Sequence, residues 1–167
     1  MVWIIPSIMI IVLIAYCIII SEQKRERKKY YEAAYRMVKE VYLTKSLRHY
    51  ISDSINEQKI MLYLKWKDTQ SQGYVFALEN GVRIGRTPKE NEICIRKDSV
   101  SGKHCVLYAC NNRVAIQDLN SVNGTWIQRG LKKHEVQQME YICDGDVLLI
   151  GGYKIKITIF VFDMAYM

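Results

Sequence analysis

Three polar side chains stand out because, if the fold gathers them, they could bind a phosphate group. Arg86 ends the run Val-Arg-Ile-Gly-Arg, Ser101 opens the run Ser-Gly-Lys-His, and Asn123 lies in the run Ser-Val-Asn-Gly-Thr. A guanidinium pairs with phosphate oxygens through parallel hydrogen bonds, a hydroxyl donates a further one, and a carboxamide can hold the peptide main chain alongside. Each run alone is an ordinary loop, so the chemistry depends on the strands between them.

Those strands are indicated by a side-chain period of two. Ile60, Leu62 and Leu64 alternate with less apolar residues, and the same alternation returns at residues 155–159. Short apolar runs separated by polar turns, such as the Asn-Asn pair at 111–112, fill the segment between them. Many short strands with polar turns predict an all-β antiparallel sandwich or barrel.

The order of the motifs resembles one known family. The matching segments are Val82-Arg83-Ile84-Gly85-Arg86, Asn91-Glu92-Ile93, Val100-Ser101-x-x-His104, Asp118-x-x-Ser121-x-Asn123-Gly124-Thr125, Asp144-Gly145-Asp146 and Ile150-Gly151. Together they resemble a forkhead-associated (FHA) domain, over roughly residues 60–162. The resemblance implies an antiparallel β-sandwich that recognises phosphothreonine peptides, with threonine preferred over serine.

The resemblance also implies the roles of single residues. Arg86 would pair with the phosphate oxygens, Ser101 would donate its hydroxyl, and the N–H of Gly102 would contact the phosphate. Lys103 would supply additional charge or point away. Asn123 would hold the ligand main chain next to the phosphothreonine. These five residues are the expected phosphopeptide-binding set.

Other matched residues are expected to shape the binding loops. His104 would brace the loop that carries Asn123. The expected framework residues are Gly85, His104, Ser121, Val122, Gly124 and Thr125. Gly102 and Val122 depart from the more polar residues that are frequent at these positions in the family, so side-chain contacts to the ligand are lost. Selectivity around the phosphothreonine is expected from two loops, with Lys97, Ser99 and Tyr141 as candidates.

The first twenty residues are almost wholly apolar and carry no charged side chain. Nineteen helical residues span roughly 28 Å, close to the ~30 Å hydrocarbon core of a bilayer. The segment lacks a basic start and a small-residue cleavage site, so a cleaved signal peptide is disfavoured. A transmembrane helix is expected over 1–20, a buried soluble helix being the alternative. The basic cluster at residues 24–29 places the N-terminus outside and the remainder in the cytoplasm.

A basic helical juxtamembrane linker is expected over 21–58, then the FHA domain over 59–163 and a tail over 164–167. The linker has an apolar stripe at helical spacing, formed by Tyr31, Ala34, Tyr35, Val38, Val41 and Tyr42. The stripe covers about two heptads, which leaves a membrane-proximal stalk and a weak dimerisation helix both open.

Charge and cysteines narrow the function classes. The net charge of +7 is concentrated after the apolar start, which favours an anionic membrane surface over nucleic acid. The five cysteines form no C-x-x-C pair, so we expect small hydrophobic residues in a reducing compartment, with no metal and no cofactor. Ser101, His104 and Asp118 could be read as a catalytic triad, but no nucleophile-elbow pattern surrounds Ser101, and an enzyme is not expected.

The sequence therefore predicts a signalling adaptor at the plasma membrane. Its domain would bind phosphothreonine proteins, either a Ser/Thr kinase or that kinase's substrates, at the cytoplasmic face. By analogy of architecture, the partner would belong to the cell envelope or to cell division. The alternative is a phosphate-independent FHA-like scaffold in a membrane complex.

Overall fold

A computed structural model of the chain describes residues 4–46, 58–67 and 71–163. Side chains are not described for residues 4–7, 41–46, 58, 67, 71, 72 and 80 within those ranges. The first three residues of the predicted span, part of the predicted linker and the predicted tail therefore lie outside the described residues.

A long helix precedes eleven strands. Helix α1 covers Ile4–Ser46, and a short 3-10 turn covers Leu78–Asn80. The strands are β1 Gln58–Lys67, β2 Ser71–Ala77, β3 Val82–Gly85, β4 Ile93–Cys94, β5 Cys105–Cys110, β6 Arg113–Asp118, β7 Thr125–Arg129, β8 Lys132–Glu135, β9 Met139–Ile142, β10 Val147–Ile150 and β11 Tyr153–Asp163.

The strands form two sheets that pack face to face. One sheet has six strands in the order β2-β1-β11-β10-β7-β8, and the other has five in the order β4-β3-β5-β6-β9. Every pair is antiparallel except the two-residue pairing of β3 with β4. The predicted antiparallel β-sandwich is confirmed.

The core lies between the sheets and follows the predicted alternation. Leu62 and Leu64 of β1 and Ile155 and Ile157 of β11 are fully buried in it. Burying such a side chain stabilises the fold by about 1.5–3 kcal/mol. The period of two therefore reflects the burial of the strand face that lies between the two sheets.

The outer face of the six-stranded sheet is also partly buried, because α1 packs on it. Ala34 and Val38 are buried against Met61, Phe160 and Phe162. The ring of Tyr30 lies 4.8 Å from that of Phe160 and 5.2 Å from that of Tyr63. Glu26 forms an ion pair with Lys65 of β1 at the edge of this contact.

The apolar stripe expected in the linker thus has its partner within the same chain. Tyr31, Ala34 and Val38 lie on the side of α1 that contacts the sheet, whereas Tyr35 is exposed. The side chains of Val41 and Tyr42 are not described. The helical period predicted from the sequence is present, and the surface it covers is the sandwich.

The expected transmembrane helix is not supported. Among the residues that the structure describes, no helix is both long and apolar enough to cross a membrane. The orientation predicted from that span is likewise unsupported.

The cysteines only partly match the expectation of buried hydrophobic residues. All five are free thiols. Cys105 is fully buried, and this burial raises its pKa to about 12, so the thiol is unreactive at neutral pH. Cys17 is exposed, and the other three are partly exposed.

Candidate functional site at one end of the sandwich

Three loops meet at the end of the sandwich where β3 and β6 end and β5 and β7 begin. They are residues 86–92, 95–104 and 119–124. Backbone hydrogen bonds join the first two, since the N–H of Arg86 donates to the carbonyl of Ser101 at 2.9 Å and that of Thr87 donates to Gly102 at 3.2 Å. Arg86 and Ser101 are therefore held side by side, as their predicted roles require.

The second and third loops are joined by two further hydrogen bonds. The N–H of Val122 donates to Ser101 Oγ at 3.0 Å, and Asn123 Nδ2 donates to the carbonyl of Ser99 at 2.8 Å. Asn123 and Ser101 are thereby placed on one edge with Arg86. We call this edge the rim, defined by the predicted binding residues Arg86, Ser101, Gly102, Lys103 and Asn123.

His104 lies fully buried beneath the rim. Its Nδ1 accepts the N–H of Ser101 at 3.1 Å, and its Nε2 donates to the carbonyl of Gly124 at 3.3 Å. Burial lowers the pKa of His104, which favours the neutral ring that this pair of hydrogen bonds needs. Its position between the second and third loops corresponds to the bracing role implied by the resemblance.

Asp118 anchors the start of the third loop. Its carboxylate accepts hydrogen bonds from the hydroxyls of Thr125 and Ser121, the latter at 2.7 Å, and from the Ser121 N–H at 2.9 Å. Burial alone would raise its pKa, but the hydrogen bonds from Thr125 and Ser121 outweigh this effect and lower it. The carboxylate thus stays charged and fixes the framework residues Ser121 and Thr125.

The same contacts disfavour a catalytic triad. Both ring nitrogens of His104 are engaged by main-chain groups, and the Ser101 hydroxyl faces the N–H of Val122. A nucleophilic serine needs a base within reach of its hydroxyl proton. Asp118 is occupied by Ser121 and Thr125. These contacts hold the second and third loops together.

Two framework glycines are required by close approach. A Cβ at Gly85 would collide with the carbonyl of Gly102 and the amide of Asn91. Gly124 has φ +69°, and a Cβ there would collide with the carboxylate of Glu135. Both positions allow loops to approach more closely than a side chain permits.

Asn91 is a structural residue to which the sequence analysis gave no role. Its Nδ2 donates to the carbonyls of Thr87 and Gly102, each at 2.7 Å, so it ties the first loop to the second beneath Gly85. Asn91 is buried, and its Oδ1 has no hydrogen-bond partner among the described residues. The sequence feature that could have identified Asn91 is its position in the matched Asn-Glu-Ile run.

The two cationic side chains predicted at the rim, Arg86 and Lys103, have different ion-pair partners. Arg86 Nη1 lies 3.0 Å from Asp98 Oδ1, but half of the Arg86 side chain is exposed and Asp98 is wholly exposed. This ion pair is on the surface, where such pairs are weak. Lys103 Nζ lies 3.2 Å from Glu90, so its charge is directed to the first loop. Val122 is almost fully exposed and packs on little.

The three candidate specificity residues lie in two different parts of the domain. Ser99 donates to the carbonyl of Gly151 at 2.8 Å, and Lys97 Nζ lies 4.7 Å from the centre of the Tyr153 ring, so both lie beside the turn between β10 and β11. Tyr141 is not brought to the rim. Its ring lies under the guanidinium of Arg113, next to the β5–β6 turn at the other end of the sheet.

A cavity of about 570 Å³ opens beside the rim. Ser99 and Asn123 line it on one side. Its other lining residues are Gly124, Trp126, Lys133, Leu149, Gly151, Gly152, Tyr153 and Lys154. No sequence motif indicates a ligand role for Trp126, Lys133, Tyr153 or Lys154, because these residues come from separate strands.

Comparison with known proteins identifies a family for the segment that contains these loops. A family model described as FHA domain matches residues 82–151. The sequence is 34% identical over 82 residues to an FHA domain-containing protein of Arabidopsis thaliana, a match that covers 49% of this chain and 21% of that protein.

Solved structures give the same result. EmbR of Mycobacterium tuberculosis, solved with a low-affinity phosphopeptide, is 26% identical with a TM-score of 0.51, over 59% of this chain and 24% of that one. A structure from work on phosphothreonine-dependent FHA domain interactions has the same identity and TM-score, over 59% of this chain and 95% of that one. The FHA domain of CT664 from Chlamydia trachomatis, at 21% identity and a TM-score of 0.50, covers 59% of this chain and 96% of its own and shows the fold alone.

The chain thus spans about a fifth to a quarter of the Arabidopsis protein and of EmbR. The matched segment includes the three loops of the rim. Residues 82–151 therefore match the FHA family, and the β-sandwich of this chain has the FHA-type fold.

Proposed function

We propose that this domain is a phosphothreonine-peptide-binding adaptor whose rim binds the phosphate. The observation that carries the proposal is the gathering of Arg86, Ser101 and Asn123 on one edge by four hydrogen bonds between loops. The ligand would be a protein phosphorylated by a Ser/Thr kinase, or such a kinase itself. EmbR, one of the similar structures, was solved with a phosphopeptide.

Ser101, Asn123 and Arg86 each keep hydrogen-bonding groups that a ligand can use. Ser101 Oγ accepts the N–H of Val122, so its own proton can donate to a phosphate oxygen. One N–H of Asn123 is fixed on Ser99, which orients the amide towards a peptide main chain. A phosphothreonine carries about −1.5 to −2 charge at neutral pH, so it competes well with Asp98 for Arg86.

The test compares two arginines of matched exposure. Arg86→Ala in the full chain should reduce the affinity for a phosphothreonine peptide library by about a hundredfold or more, because two charge-assisted hydrogen bonds contribute ~1.5–3 kcal/mol each. The control is Arg83→Ala, since Arg83 is 52% exposed against 50% for Arg86 and pairs with Glu92. Equal binding by wild type and Arg86→Ala, or by dephosphorylated peptides, contradicts the proposal.

A phosphate-independent scaffold remains the second candidate. Gly102 offers no side chain, Val122 is apolar, and Lys103 is directed towards Glu90. Of the side chains that define the rim, recognition of a phosphate would then depend mainly on Arg86. Partners captured equally before and after phosphatase treatment favour the scaffold, and partners lost on treatment favour the phosphopeptide adaptor.

We also propose that the apolar start of α1 attaches the domain to a membrane. Ile11, Leu13 and Ile14 are more than half exposed along this helix, and a basic cluster follows at residues 24–29. Apolar side chains beside lysines and arginines favour an anionic bilayer surface. The phosphorylated partner would then be recruited at the cytoplasmic face, with the cell envelope or division machinery as the place of action.

Vesicle flotation tests this attachment. The full chain should float with phosphatidylcholine–phosphatidylglycerol vesicles, and Ile11→Asp/Ile14→Asp should remain in the dense fraction. Ile-to-Asp changes at these exposed positions leave the sandwich intact, which circular dichroism can check. Equal flotation of both proteins contradicts attachment through this segment without affecting the phosphothreonine proposal.

A further inference from the structure

The cavity beside the rim has an apolar floor made by one row of residues across the six-stranded sheet. Trp126 of β7 pairs with Leu149 of β10, and Leu149 pairs with Lys154 of β11. Directly paired residues lie on the same face of a sheet, so these three side chains form one surface. Tyr153 and the Gly151-Gly152 turn close the side next to Ser99.

Three lysines surround this floor. Lys133 Nζ lies 4.5 Å from the centre of the Trp126 ring, Lys97 Nζ lies 4.7 Å from that of Tyr153, and Lys154 lines the wall. Among the described residues none of the three forms an ion pair. Contact with an aromatic face holds an ammonium group in place while leaving its full charge.

Two acidic residues are close to the lysines and do not balance them. Asp98 pairs with Arg86 at the rim. Glu135 lies on β8 opposite Trp126, with its carboxylate close to Gly124. One unpaired carboxylate therefore accompanies three cations, and the cavity favours an anion. We call Lys97, Lys133 and Lys154 with their floor the lysine shelf.

We propose that the lysine shelf binds an acidic side chain that flanks the phosphothreonine in the same peptide, either a carboxylate or a second phosphate. The proposal rests on the proposed function and names the ligand class of that site. Ser99 and Asn123 belong to the wall of the cavity and also to the hydrogen-bonded edge of the rim. A peptide held at Asn123 therefore enters the shelf without leaving the surface, and its side-chain stem covers the apolar floor.

The experiment measures selectivity in the full chain. Phosphothreonine peptides are offered in three libraries that differ at the flanking positions. The first library carries aspartate and glutamate there, the second carries phosphoserine, and the third carries the neutral residues glutamine and serine. Lys133→Gln and Lys154→Gln are made singly and together. Lys132→Gln is the control, because Lys132 is the strand neighbour of Lys133 and does not line the cavity.

Wild type should enrich an acid at one flanking position or at two adjacent ones. Each shelf variant should lower the affinity for that peptide about threefold, and the double variant about tenfold, as exposed charge pairs do. The affinity for neutral-flanked phosphothreonine peptides should change less than twofold. A larger loss with phosphoserine than with carboxylate identifies a doubly phosphorylated ligand, and the reverse order identifies an acidic one.

Two results overturn the proposal while leaving phosphothreonine binding intact. One is wild-type binding without any acidic preference, and the other is an equal loss in Lys132→Gln, which would indicate general charge attraction. If wild type binds no phosphothreonine peptide at all, both the proposed function and the shelf are overturned. Thermal unfolding of each variant shows that the glutamine substitutions leave the fold unchanged.

Discussion

The rim is held together by hydrogen bonds between polar groups, whereas the helix interface is held together by buried apolar side chains. At the rim, polar groups of three loops satisfy one another over a buried histidine. At the helix interface, which comprises Tyr30, Tyr31, Ala34 and Val38 of α1 against Met61, Phe160 and Phe162, rings and aliphatic side chains exclude water. The rim thus holds groups ready for a ligand, whereas the helix interface contributes burial.

This difference predicts a separation of effects. Substitutions at exposed rim groups should change affinity and leave the free energy of unfolding almost constant. Substitutions at the helix interface should change stability and leave affinity constant. His104 is the expected exception, because it is buried and also positions both Ser101 and Gly124.

The largest effect is expected from His104→Ala. It leaves the N–H of Ser101 and the carbonyl of Gly124 without partners and opens a cavity, so the free energy of unfolding should fall by about 3 kcal/mol or more. Urea unfolding measures the loss, and the phosphopeptide affinity should fall with it. His134→Ala is the matched control, since His134 is exposed and pairs with Glu140 at the surface. Equal losses in the two variants would show that His104 has no bracing role.

The helix interface is tested by Tyr30→Ala. Removal of this ring from Tyr63 and Phe160 should lower the free energy of unfolding by about 2 kcal/mol, less than a fully buried aromatic residue because Tyr30 is only partly buried. Hydrogen exchange should speed up in the helix around Ala34, while phosphopeptide affinity stays within twofold. Tyr35→Ala is the control on the exposed side of the same helix. A coupled loss of affinity would mean that α1 and the rim are not independent.

The two regions also differ in how far the sequence predicted them. The rim was predicted because Arg86, Ser101 and Asn123 each lie in a short motif with a fixed order. The helix interface was not, because Tyr30 and Phe160 lie far apart in sequence and neither belongs to a motif. The alternation in β1 indicated one buried face, and nothing local to Met61 shows that α1 covers the other.

The remaining differences have physical causes too. Tyr141 was expected near the ligand, but the register of β9 on β6 places it opposite Ala115, towards the far end of the sheet. Lys133 and Lys154 line the same cavity only because β8, β7, β10 and β11 pair in this order. Contacts that depend on strand register cannot be read from one sequence, since a shift of one residue reverses the face of every side chain.

Lowering the pH should remove the stabilising contributions of His104 and Asp118 in two separate stages. Burial lowers the pKa of His104 in the folded state, so its contribution is complete above pH 6.5, its ordinary value, and is lost as the pH falls below that value. The pKa of Asp118 is lowered by hydrogen bonds from Thr125 and Ser121, so its contribution is lost as the pH falls from 3.8 through its folded pKa.

Urea unfolding between pH 8 and pH 2 should therefore show a plateau, then a decline that begins near pH 6.5. His104→Gln is expected to lack this first decline, although it is less stable throughout. The acidic stage below pH 3.8 should remain in the variant, because Asp118 is unchanged. A wild-type stability that stays constant from pH 8 to pH 5 would contradict the buried neutral histidine.

The smallest effect is expected from Asp98→Asn. The substitution removes the carboxylate that pairs with Arg86, so a phosphate no longer competes with it, and phosphopeptide affinity should rise about twofold, the scale of an exposed ion pair. The free energy of unfolding should not change, because Asp98 is wholly exposed. Glu79→Gln removes the same charge at the far end of β3, where Glu79 pairs with Lys59, and should leave affinity unchanged. An unchanged or lower affinity in Asp98→Asn would mean that Asp98 orients Arg86 for the ligand. The ion pair would then be a part of the binding site that positions Arg86, as the buried His104 positions Ser101.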